Sequence, residues 1–310
     1  MEADANQLPG ARDAHRLVLT AGNFAASDIF DANGFAHDGR TQFLNWSFLT
    51  HGAYDYAADA HGYSWGAALE YYAPPGVLRI GRFLEPKQSN GMRLDWSVGR
   101  HHGDQIEYER GWTLGRDELA GRARLLLYRN KAVMGSFREA LVYGGVAGAA
   151  PSVADVRRLQ SKTGQGINVE QALDDKGSGT FLRLSRHDGA TETYSFTGID
   201  RALSLGGVVG GAYWGRAQDS VGLAWARNGL SRPHRAYLAA GGLGFFLGDG
   251  ALSYRPESAL EACYQIRLGG RAGGRFQSSL MLGLQRIRNP GYNAARGPVN
   301  VGSARLHVEF

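Results

Sequence analysis

Asp28, Asp31, Asn33, Arg40, Asn45 and Trp46 stand in one short stretch and supply carboxylates, amides, a guanidinium and an indole. Carboxylate and amide oxygens accept hydrogen bonds, guanidinium and amide N–H groups donate them, and an indole offers a flat apolar face. Such a set suits non-covalent recognition of a polar solute. The same Asp and Asn residues serve equally as turn formers, because their side chains bond nearby backbone. Arg93 and Asp95, just after Asn90-Gly91, make a second and weaker group of this kind.

Covalent chemistry has less to stand on. No P-loop, zinc-protease or nucleophile-elbow pattern is present, and no nucleophile is paired visibly with a base. His101 and His102 are adjacent, and neighbours in a strand point apart, so a metal site is not expected there. The run from Gly242 to Gly248 misses dinucleotide spacing by one residue and follows no βαβ pattern. A single cysteine, Cys263, excludes an intrachain disulfide and a Cys-based metal site. The sequence therefore predicts no enzyme, no metal and no cofactor.

The elements that must carry these residues alternate with period two. Trp65, Ala67, Leu69 and Tyr71 form one apolar face; Leu125 and Leu127 oppose Arg122 and Arg124; Leu182 and Leu184 oppose Arg183. Leu260, Ala262, Tyr264, Ile266 and Leu268 oppose Glu261 and Arg267, and the chain closes on Ala304, Leu306, Val308 and Phe310 against Arg305, His307 and Glu309. Successive side chains of a strand point to opposite faces, so each segment has one apolar and one polar side. The expected strands are 15–24, 62–72, 76–84, 104–114, 121–131, 165–173, 179–187, 193–210, 217–227, 258–269, 275–287 and 299–310. Arg110 breaks the pattern, since Ile106, Tyr108 and Trp112 place it on the apolar side, which calls for a bulge or an interfacial position. The stretches 25–60, 133–160 and 229–255 read as long loops, with a weak helical pattern from Gly135 to Tyr143.

Composition limits the alternatives. The 310 residues include 45 Gly, 14 Tyr, 13 Phe and 6 Trp, with a formal net charge of +5. The charges are interspersed, so nucleic acid is not an expected partner. No run approaches the ~18 apolar residues of a transmembrane helix, whereas a spanning strand needs only ~9–11 residues, half of them facing lipid. The N-terminus lacks the basic and apolar regions of a secretory signal. The domain reading is a polar segment, 1–14, followed by a single β-domain, 15–310.

Two segments carry a resemblance. Asp28 to Trp46 reads D-x-F-D-x-N and then D-x-R-x-Q-F-x-N; the tail from Asn289 to Pro298 reads N-P-G-Y-N-x-x-R-G-P. Both resemble the carbohydrate-selective porins of the OprB type, and the likeness extends from about residue 15 to Phe310. It implies an all-β fold: an antiparallel transmembrane β-barrel of porin type, about 12 strands here against about 16 in the family, with long loops partly folded inward. The family's leader and roughly four first strands would then be missing, by truncation or a misplaced start. The chain alone is expected not to conduct unless it closes as a smaller barrel; sugar-blockable conductance of the refolded chain would refute this.

The function implied is passive diffusion of glucose-like sugars across the outer membrane of a Gram-negative cell. The partners implied are mono- or small oligosaccharides, outer-membrane lipid, the barrel-assembly machinery through Phe310, and a possible homotrimer. Asp28, Asp31, Asn33, Arg40, Asn45 and Trp46, with Arg93 and Asp95, become candidates for the constriction. Strand parity makes Glu70, Arg79, Glu107, Arg122, Arg124, Glu170, Arg183, Glu261, Arg267 and Arg305 candidates for the lumen lining, each either touching sugar or setting the field of a vestibule. Two other classes stay open: a soluble β-rich carbohydrate-binding protein, and an outer-membrane barrel enzyme such as a lipase.

Overall fold

The computed structural model describes residues 10–269 and 277–309. Twelve strands follow in chain order: β1 (Arg16–Phe24), β2 (Ser64–Ala73), β3 (Gly76–Leu84), β4 (His102–Leu114), β5 (Leu119–Met134) and β6 (Arg158–Ala172), then β7 (Gly179–His187), β8 (Arg201–Gly210), β9 (Ser220–Gly229), β10 (Glu257–Gly269), β11 (Gln277–Arg288) and β12 (Val299–Glu309). Each pairs antiparallel with the next, giving one sheet in sequence order. Among the described residues the outer edges of β1 and β12 have no strand partner, so the wall is open there.

Alternation decides the two faces. Leu125, Leu127, Leu182, Leu184 and Leu282 are exposed on the outer face and Leu280 is half-buried, while Arg183 and Glu261 are buried on the inner face. The exposed apolar band runs on through Leu19, Ile80, Ile106, Ile167, Leu205 and Leu223. A band of this extent is far larger than the apolar patches a soluble monomer tolerates. Tyr71, Tyr108, Tyr213 and Trp214 lie toward its short-turn end, and Trp65 and Trp96 toward the other, the arrangement of interfacial aromatic girdles.

Connections at one end are short (74–75, 115–118, 173–178), whereas those at the other are long and hold α1 (Trp46–Leu49), α2 (Phe137–Ala147) and α3 (Arg232–Ala239). Ser136 and Ser231 cap α2 and α3 by accepting from the backbone N–H of Glu139 and His234. Phe137 stacks on the His234 ring at 4.2 Å and meets Tyr237 at 5.1 Å, which joins the two helices into a small apolar cluster over the mouth.

Two differences from the sequence expectation have physical causes, and one alternative that it left open is decided. Residues 193–200 lie in the connection before β8, because Asp55 accepts from the backbone N–H groups of Tyr194, Ser195 and Phe196 and replaces a ladder partner. β6 begins at Arg158, within the stretch expected to be loop, because inward-facing Lys162 is polar yet fully buried against Asp55. Arg110 sits in an unbroken register opposite Gly76, the first residue of β3, so it occupies an interfacial position rather than a bulge. Phe310, residues 1–9 and the first two residues of the expected 275–287 strand lie outside the described residues.

Candidate functional site

The β1–β2 connection folds into the space enclosed by the wall, and small residues on the inner face admit it. A Cβ on Gly166 would lie 2.5 Å from the His51 ring, and one on Gly179 would overlap the Phe35 ring. Polar groups then fix the loop in place. Arg183 of β7 donates from Nε to Asp31 Oδ1 at 3.1 Å and from Nη1 to the carbonyls of Ala36 and Phe48 at 2.7 Å each. Asn168 donates to Asp31 at 2.6 Å, and Asp31 Oδ2 accepts from the His51 backbone N–H at 2.5 Å. Glu107 accepts the Asp31 N–H at 2.7 Å, Glu170 the Gly34 N–H at 2.5 Å, and Glu261 the N–H groups of Leu44 and Asn45 at 2.7 and 2.9 Å.

Charge follows from these contacts. Burial opposes ionisation of Asp31, but the Arg183 guanidinium overrides it and holds the carboxyl below its usual range. Burial pushes the His51 imidazole down to about 4, against the pull of Asp31, whose Oδ1 lies 3.2 Å from Nε2. The ring is therefore neutral at ordinary pH. Asp55 is likewise held low despite burial, by Lys162 at 2.6 Å and by the N–H groups of the β7–β8 connection.

Toward the short-turn end, charges alternate across β2 to β6. Arg79 bonds Glu70 at 2.9 Å, Glu107 at 2.9 Å and Glu109 at 3.1 Å. Arg124 bonds Glu109 at 2.7 Å and Glu170 at 3.3 Å, and Arg122 reaches Glu170 at 3.1 Å while half its side chain stays exposed. Cross-strand register makes this possible: Glu70 faces Arg79, which faces Glu107, and Glu109 faces Arg124. Glu109 was absent from the sequence candidates although it shares the parity of Glu107. Arg267 donates to Gln277 at 2.8 Å, and Arg305 to the carbonyl of Gln42 at 3.0 Å.

The loop candidates separate into two kinds. Asp28 closes a turn by accepting from the Ala25 N–H, Asn33 bonds Asn168 at 2.7 Å, and Asn45 caps α1 through the Ser47 N–H at 3.0 Å. Asp95 accepts from Ser97 N–H at 2.8 Å, and Arg93 is exposed beside it in the β3–β4 connection. Arg40, three-quarters exposed, pairs with Asp38 at 3.0 Å. Trp46 is half-exposed, stacks on Phe196 with ring centroids 5.4 Å apart at 19°, and meets Phe246 edge-on at 5.4 Å. Trp46 and Phe246 border an open cavity of about 490 Å³ at the long-loop end, where Asn45, Glu257, Gln285 and Arg296 supply polar atoms. Phe196 and Phe246 come from other connections, and neither was among the sequence candidates; Phe196 was expected within the 193–210 strand.

The profile of the carbohydrate-selective porin, OprB family, matches residues 12–310. Among solved structures, Pseudomonas putida OprB is similar at 18% identity and TM-score 0.70, over 94% of this chain and 69% of that one. Pseudomonas aeruginosa OprD is similar at 11% identity and TM-score 0.45, over 95% of this chain and 76% of that one. Comparison with curated proteins gives no match. The OprB likeness shows the fold, a porin barrel wall.

Proposed function

This chain belongs to the carbohydrate-selective porin family of OprB type and is an outer-membrane sugar porin, and from that premise we propose how its residues select. Sugars enter at the long-loop end and rest against Trp46. The carrying observation is the half-exposed Trp46 indole, buttressed by Phe196 and Phe246 beside a cavity edged with amide, carboxylate and guanidinium groups. A pyranose ring has an apolar face that packs on such a ring and hydroxyls that need replacement hydrogen bonds as water is shed. Binding stays weak enough for the solute to leave.

Asp31, Asn33 and Asn45 act by holding the constriction loop, and Asp28 by closing its first turn. Arg40, Arg93 and Asp95 shape the field at the mouth. Glu70, Arg79, Glu107, Arg124, Glu170, Arg183 and Glu261 form the inner wall, with Arg122, Arg267 and Arg305 beside the path. No bond is made or broken, so the protein is not an enzyme. Residues 15–310 act as one domain. Backbone groups at an unpaired edge in lipid cost several kcal/mol each, so the edges of β1 and β12 must be satisfied before the wall conducts. Recognition of Phe310 by the barrel-assembly machinery and assembly as a homotrimer are part of the same reading.

Saturation-transfer NMR on the chain in detergent, with glucose as the probe, tests the site. Transfer to the sugar ring protons that is lost in Trp46→Ala is expected. Undiminished transfer in that variant overturns the assignment.

A further inference from the structure

The outer face of β7 to β9 carries a charge arrangement that the transport function leaves unused. Arg186 and Arg201 are direct cross-strand partners, both exposed on the lipid side. Arg227 joins them from β9, opposite Leu203 and two residues from Gly229, which faces Arg201. Like charges directly opposite on a sheet repel, and among the described residues none of the three makes an ion pair or a side-chain hydrogen bond. Asp188, two residues beyond Arg186, is bonded instead to Thr163 and Ala190.

On the other half of the wall two outer-face arginines have side-chain partners. There Arg82 grips Asp104 through two bonds of 2.6 and 2.8 Å, and Arg129 bonds Ser161 at 3.1 Å. What sets β7–β9 apart, among the described residues, is that two arginines, Arg186 and Arg201, stand directly opposite each other. Directly beneath them lies a groove of about 700 Å³ floored by Leu125, Leu127, Ile167, Leu184 and Leu203, with the three arginines on its rim. All three stand near strand ends, where a long cationic side chain reaches the membrane interface.

We propose that this face is a binding site for an anionic lipid. The phosphate lies between Arg186, Arg201 and Arg227, and one acyl chain lies in the groove. Guanidinium groups hold phosphate oxygens through paired N–H bonds, and the phosphate supplies the missing counter-charge. A second copy related by a two-fold axis fits the face less well, since it would bring a further set of arginines against these.

Native mass spectrometry of the full chain in dodecyl maltoside tests the assignment. The probes are phosphatidic acid, diacylglycerol with the same acyl chains, and inorganic phosphate. Phosphatidic acid should be retained about ten-fold over diacylglycerol, the scale of one or two charge-assisted contacts. The variant Arg186→Gln/Arg201→Gln/Arg227→Gln should lose that preference and Arg129→Gln should keep it. Should the triple variant not fold, Arg201→Gln alone should lower the preference, and high salt should lower it on the unmodified chain. Four outcomes overturn the proposal: equal retention of both lipids, unchanged retention in the arginine variants, displacement by inorganic phosphate at equal concentration, or a dimer that excludes the lipid.

Discussion

Lys162 Nζ lies 2.6 Å from Asp55 Oδ2 with both side chains fully buried, joining the β6 wall to the inward loop. Asp55 also accepts from Tyr194, Ser195 and Phe196, and Lys162 donates to the Glu192 carbonyl at 2.7 Å. One ion pair thus ties the wall to two separate connections. Removing one partner leaves a buried charge, so Lys162→Met should cost about 3–5 kcal/mol. The double variant Lys162→Met/Asp55→Leu should recover part of that loss, because no lone charge remains. Thermal unfolding in detergent measures both; a double variant as unstable as the sum of the singles would contradict the pairing.

Arg183 holds the inward loop by its charge and by its geometry. It donates to Asp31 and to three backbone carbonyls of that loop, and a lysine cannot reproduce this planar fork. Arg183→Lys should therefore release the loop while the strands persist. Limited proteolysis should cut within residues 25–63 faster than in the unmodified chain, with the strand content seen by circular dichroism unchanged. Equal cleavage rates would show that Arg183 is dispensable for docking.

Trp46 offers its face to the mouth cavity with Phe196 behind it. Trp46→Ala should weaken glucose binding by up to about ten-fold, the scale of one aromatic contact. Trp46→Phe should retain most of it, because a flat ring remains. Affinity from the NMR titration separates the two variants, and equal losses in both would shift the recognition to the polar rim.

Much of this arrangement could be read from the residues alone. All twelve strands were visible, because period-two alternation survives in them, with charged, polar or small residues on the inner face. The inward placement of Arg79, Glu107, Arg124, Arg183 and Glu261 followed from that parity. Lys162 hid the first half of β6, since a buried cation looks like a surface residue until its partner Asp55, far off in sequence, is known. Phe196 and Phe246 were missed for a related reason: Phe196 was read as part of the 193–210 strand and Phe246 lies in a long connection, and only the folded loops bring them to Trp46. Glu109 needed no structure. It stands two residues from Glu107 on the same face.

The buried imidazole of His51 should make the fold sensitive to mild acid. Its pKa is about 4 in the folded protein against 6.5 as the ordinary value. Between those values the unfolded chain binds more protons, so the contribution of the neutral ring is complete above pH 6.5 and falls as the pH drops toward 4. The loss amounts to at most ~3 kcal/mol. Asp31, held low by Arg183 against burial, adds a further loss only below the usual carboxylate range. His51→Gln removes the titrating ring and keeps a neutral polar group, so its unfolding temperature should change less between about pH 7 and about pH 4.5 than that of the unmodified chain. Parallel pH profiles for the two proteins would place the acid sensitivity elsewhere, with the His187–Asp200–His234 contacts at the mouth as the next group to test.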